Sequence, residues 1–149
     1  MKGFRSLLLA AAAGAALSAC ASTGLRDAEK LELYRAHAGE PVDSFRLLGR
    51  LNGWTPLGDE ALAVWTRPGE AFLLELFGPC QDLEFTPAIG LTSTLSRVQA
   101  RFDKVLVRSS GGPNMPCHIE TIRPLDVKAL KASEKELREA RIEEREADS

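Results

Sequence analysis

The sequence predicts an α+β fold: a small antiparallel β-sheet domain with a short N-terminal helix and a charged C-terminal helix. Three patterns carry that prediction. Apolar residues recur at helical spacing over 25–38 and at period two from Phe45 to Ile122. After Pro124 the chain has no Gly and is rich in Ala, Glu, Lys and Arg. With 149 residues and 44% hydrophobic content, it holds one domain with a modest core. The boundaries read as a signal peptide over 1–19, then a lipidated N-terminus, tether and short helix over 20–43. A β-rich domain follows over 44–126, and a charged helix over 127–149.

The first segment is an address. Lys2 and Arg5 form a short positive region, and Ser6 to Ala19 is an uncharged apolar stretch of fourteen residues. A bilayer core of roughly 30 Å needs about 20 such residues, so the stretch has the layout of a secretory signal. It ends in Leu17-Ser18-Ala19-Cys20, which resembles a bacterial lipobox. That resemblance implies diacylglycerol on the Cys20 sulfur, cleavage before Cys20, and acylation (palmitate) of the new amine. Several acyl chains hold a membrane firmly, since each buried CH₂ adds about 0.8 kcal/mol. In lipoproteins that look like this, an Asp after the Cys goes with inner-membrane retention; here Ala21 follows. The expected location is therefore the periplasmic face of the outer membrane.

Along the mature chain, Leu25, Ala28, Leu31, Tyr34 and Ala38 follow helical spacing, and Gly39 and Pro41 stop the helix. "SFRLLGRLNGW" alternates as a strand, and Gly58-Asp59 turns the chain. The clearest hairpin is "ALAVWTRPGEAFLLELF". Pro68-Gly69 suits a type II turn, and both strands are apolar enough to be central and covered on both faces. "VQARFDKVLV" alternates Val98, Ala100 and Phe102 against Arg101 and Asp103, as one half-buried strand would. "SSGGPNMP" has loop composition, and "CHIETI" reads as a last strand ended by Pro124. The sheet should hold about five or six strands. In the C-terminal helix Glu134 and Arg138 are spaced as an i,i+4 pair. The stripe Val127, Leu130, Leu137, Ile142 is too short for a coiled coil, which makes this a solvated helix, with partner binding as the alternative.

Three cysteines remain to be assigned. If Cys20 takes lipid, Cys80 and Cys117 are an even pair in an oxidising compartment and are expected to form a disulfide. Closing a loop of about 38 residues is worth roughly 3.9 kcal/mol in the chain-entropy model. A Cys117–His118 catalytic dyad is the sharper alternative. Strand neighbours point to opposite faces, however, and a thiolate beside a second periplasmic Cys would be captured. A zinc or copper site would have to gather Cys80, Cys117, His118 and the distant His37, with no ligand spacing to support it, so no metal and no cofactor are expected.

Acid–base chemistry would use Asp59/Glu60, Asp82/Glu84 or Asp103. The first pair reads as turn chemistry. Asp82 and Glu84 share a face only if "DLEF" is extended, and Asp103 reads as a surface ion pair with Arg101. No nucleophile elbow, P-loop or dinucleotide fingerprint is present. Trp65 reads as core. Trp54, at a strand end, is the candidate binding residue, alone or in an aromatic platform with Trp65 for a glycan or peptide. Without Lys2 and Arg5 the 19 basic residues fall to 17 against 21 acidic, a net of −4, which argues against nucleic acid as a partner.

"WTPLGDEALAVWTRPGEAFLLEL", "GPCQDLEF", "IGLTS", "VQARFDKVLV" and "PCHIETIRPLD" together resemble a family of small proteobacterial lipoproteins of unknown function, an uncharacterised domain of two-cysteine type. The resemblance implies a disulfide at the positions of Cys80 and Cys117, and no activity or ligand. The functional expectation is a cell-envelope lipoprotein, a non-enzymatic binding or structural accessory. It is held to the membrane through Cys20, with an envelope protein or cell-wall component as partner. The alternative is a periplasmic enzyme or metal-handling protein that uses carboxylates or His118.

Overall fold

A computed structural model describes residues 22–108, 112, 113 and 115–149. The expected signal segment (1–19) and Cys20 lie outside the described residues. Helix α1 (Ser22–Ala36) leads into eight strands: β1 (Ser44–Arg46), β2 (Gly53–Pro56), β3 (Ala61–Arg67), β4 (Glu70–Leu76), β5 (Ile89–Leu91), β6 (Arg97–Gln99), β7 (Lys104–Val107) and β8 (Met115–Leu125). Helix α2 (Val127–Ala147) follows. The fold is α+β, as the periodicities predict. Six strands form one antiparallel sheet in the order β2-β3-β4-β8-β7-β5, and β1 pairs with β6 in a separate ribbon.

The β3–β4 hairpin sits where its unbroken apolar run requires, inside the sheet with both faces covered. On one face Leu62, Val64, Leu74 and Leu76 pack with Val105, Val107, Ile119 and Ile122 under the β1–β6 ribbon, and Phe45 stacks on Phe72 at 4.5 Å. On the other face Ala61, Ala63, Ala71 and Leu73 lie beneath the helices, against Tyr34, Val127 and Leu130. Small residues on the helical side let α1 and α2 approach the sheet closely. Each fully buried Leu contributes about 2–3 kcal/mol.

Several local expectations are corrected. Gly69 does not use positive φ, so the Pro68-Gly69 turn is not type II; the register instead shifts between Trp65 and Arg67. "SFRLLGRLNGW" is not one strand. It is extended only over β1 and again from Gly53, and between them Gly49 takes φ +86° in a stretch that leaves Leu48 64% exposed. "VQARFDKVLV" is also broken, because Arg101 takes φ +68° in a turn between β6 and β7 and Phe102 is 76% exposed. β5 was not foreseen at all.

β8 is longer than "CHIETI". It begins at Met115, inside the expected loop, and runs through Pro124. Proline is tolerated there because the Pro124 carbonyl accepts the Gly39 N–H on the side away from β4, so the missing N–H costs no bond to β4. Pro116 lies beyond the end of the β4 pairing. Capture of residues 38–42 by β8, through Ala38–Leu125 and Val42–Ile122 bridges, also explains why α1 ends at Ala36 rather than 38. A Cβ on Gly39 would meet the Pro124 ring at 3.3 Å, so Gly is needed there for close approach.

α2 starts where read. Asp126 is its N-cap, and its carboxylate accepts the Ala129 N–H at 3.0 Å. Only the first turns are buried, through Val127 and Leu130. Glu134 is not paired with Arg138; it accepts the Tyr34 hydroxyl at 2.9 Å.

Candidate functional site

The two helices run antiparallel, and the contacts that tie them show the register. His37 Nε2 lies 3.0 Å from Ser133 Oγ, Tyr34 donates to Glu134, and Arg141 donates to Glu29 at 3.1 Å. Between them, towards the start of α1 and the end of α2, lies a groove of about 570 Å³. Its lining is mostly charged, with Arg26, Lys30, Arg138 and Arg145 among it, and Leu33, Leu137 and Ile142 supply the apolar part. Sequence reasoning counted only the apolar members of the α2 stripe. Reading Glu134, Leu137, Arg138, Arg141, Ile142 and Arg145 as one helix face, each three or four residues from another member, would have found this lining.

Tyr34 donates to Glu134, one of the groove's lining residues. It is buried and packs edge-on against Trp65 at 6.4 Å. Burial raises its phenol well above the ordinary range, and the hydrogen bond to Glu134 and the charge of that carboxylate add to the effect; Thr55 opposes it. The sign follows directly. Below about pH 10 both folded and unfolded chains hold the proton, and above it only the folded chain does. Stability should then fall by up to about 1.4 kcal/mol per pH unit. Tyr34 is the single tyrosine, so phenolate absorbance reads it alone. The folded chain should show no step near pH 10, and Tyr34→Phe should flatten the alkaline loss.

The carboxylates do not assemble as the sequence suggested. "DLEF" is a turn with Asp82 at φ +63°, so Asp82 and Glu84 do not share a strand face. Glu84 turns instead towards Asp27 and Asp59. Desolvation first, then those two like charges and a hydrogen bond with Asp27, raise its pKa. Among the described residues, no group of three or more His, Cys, Asp and Glu is arranged to hold a metal ion.

Asp103 is not a surface partner of Arg101. It is 6% exposed and ties a loop together: Oδ1 accepts the Thr92 hydroxyl at 2.6 Å and Oδ2 accepts the Gln99 N–H at 2.7 Å. Thr92 Oγ1 in turn accepts the Lys104 N–H at 2.9 Å. The carboxylate organises the excursion from β5 to β7 that presents β6 to β1. No local sequence signal marks a contact eleven residues apart between a Thr and an Asp.

Cys80 and Cys117 form a disulfide, with Cα atoms 5.7 Å apart. Cys80 is 1% exposed in the core, and its N–H donates to the Asp59 carbonyl. Cys117 packs against the same core, while His118, next along β8, is exposed. The dyad is therefore not formed. His37 is held by Ser133 on the helical side.

Trp54 and Trp65 make no joint platform. Trp54 pairs with Val64 and packs on the ribbon face, whereas Trp65 packs on the helical face. Both do border a shallow cavity of about 330 Å³ at the β2 edge, with Asn52, Pro68 and Lys131. Among the described residues no helix is long and apolar enough to cross a membrane.

The model of a family of unknown function, DUF6491, matches residues 3–141. No curated protein and no solved structure matches the chain.

Proposed function

The chain belongs to that family of unknown function, and from this premise we propose that it is a cell-envelope lipoprotein with a non-enzymatic binding or structural role. Cysteine usage carries the reading. Two of the three cysteines close a disulfide, which suits an oxidising compartment, and the one left over is the Cys20 of a lipobox-like sequence. Its place would be the periplasmic face of the outer membrane, with an envelope protein or cell-wall component as partner. The Trp54 edge is the surface such a partner would use.

Cys20→Ala should release the chain from membranes or stall it as a longer precursor. Unchanged fractionation and unchanged mass would contradict the reading. The competing reading, an enzyme or metal-handling protein working through carboxylates or His118, has its own test. One bound metal per chain, lost in His118→Ala, would install it in place of the first.

A further inference from the structure

α2 is divided lengthwise by charge. Leu137, Arg138, Arg141, Ile142 and Arg145 line the groove against α1. Glu136, Glu139, Glu143 and Glu146 recur at helical spacing on the other side. Two of the three acids that line the groove are held by a neighbour. Glu134 takes the Tyr34 hydroxyl and Glu29 takes Arg141, while Asp27 faces Glu84 at the groove's edge. Arg26, Lys30, Arg138 and Arg145 have no ion-pair partner among the described residues. Between them Leu137 and Ile142 stay 47% and 49% exposed. A chain with an excess of acidic residues thus gathers unpaired cations and half-exposed apolar side chains on one face.

That face lies beside the proposed anchor. The antiparallel helix register puts Arg145 near the start of α1. Cys20 is two residues before Ser22, a reach of at most about 7 Å, and Arg26 is about 6 Å further along the helix.

We propose that this groove face rests on the membrane surface, with Arg26, Lys30, Arg138 and Arg145 on the phosphates of anionic phospholipid headgroups. Leu137 and Ile142 enter the interface between them. Cations flanking an apolar strip are what an anionic lipid surface takes, and the glutamate face then points away from like charge. The inference rests on the anchor at Cys20. It adds that the domain is held in one orientation rather than swinging from its lipid.

The test compares the acylated chain in vesicles of phosphatidylethanolamine alone and in vesicles that also contain phosphatidylglycerol, by hydrogen exchange over residues 137–146. Exchange should slow severalfold in the anionic vesicles, and the protection should vanish at high salt. Arg138→Glu with Arg145→Glu should abolish it, at about fivefold in surface partitioning for each cation lost. An unchanged unfolding midpoint shows that this variant is folded, and the native chain in the two vesicle types is decisive without it. Equal exchange in both vesicles overturns the proposal. So does protection that appears in neutral vesicles as the chain is concentrated, because a second copy would then fill the groove. Failure of the anchor reads differently, as a chain without acyl mass that does not float with neutral vesicles. The headgroup contact is then read by flotation with anionic vesicles, and absence of flotation overturns it.

Discussion

Replacing Cys80 and Cys117 together by Ala should lower stability by about 4 kcal/mol. The bond spans a sequence separation of 37 and fastens the loop after β4 to β8, so it restrains a quarter of the unfolded chain. A whole domain is typically stable by about 5–15 kcal/mol, and the variant would be marginal. Cys80 adds a packing component, because it is buried among Leu83, Leu76 and Ile119 in the core cluster. Denaturant unfolding of the oxidised native chain and of the double variant checks this. A loss under about 1 kcal/mol, or two free thiols in the denatured unreduced protein, would contradict it.

Asp103→Ala should cost about 3 kcal/mol or more. The substitution strands the half-buried Gln99 N–H and the Thr92 hydroxyl, both bonded to the carboxylate, and hydrogen bonds to a charged group are worth about 1.5–3 kcal/mol each. Asp103→Asn keeps one acceptor and should cost about half as much. The damage should be local first. The Gln99 amide should exchange freely before the sheet yields, because that bond holds the turn from which β6 reaches β1. An Asp103→Ala chain as stable as the native one would show that the loop holds itself.

How legible these features were depends on whether the signal is local. The β3–β4 hairpin was readable because its period and its Pro-Gly pair lie within a few residues of the turn they specify, and the start of α2 because the composition changes sharply after Pro124. The breaks at Gly49 and Arg101 were not, since both lie in sequences that alternate well enough to pass as strands. Arg101 at φ +68° is held by its neighbours rather than by its own preference, its N–H donating to the Ile119 carbonyl. Pro124 misled for the same reason: whether a proline ends a strand depends on what lies on its N–H side, here residues 38–42 from far up the chain. The cysteine pair was legible by arithmetic, and His118 fell to the solvent side as strand alternation requires. The groove was half legible. Its apolar residues were counted, but the cations between them gain meaning only when α1 is laid alongside.

The proposed lipid anchor at Cys20 is the premise on which location and orientation turn. The intact mass of the chain recovered from cell membranes tests it most directly. The account predicts a polypeptide that begins at Cys20 and is heavier than its sequence by a diacylglycerol and a further acyl chain. A chain that still begins at Met1 with the mass of its sequence alone would contradict it.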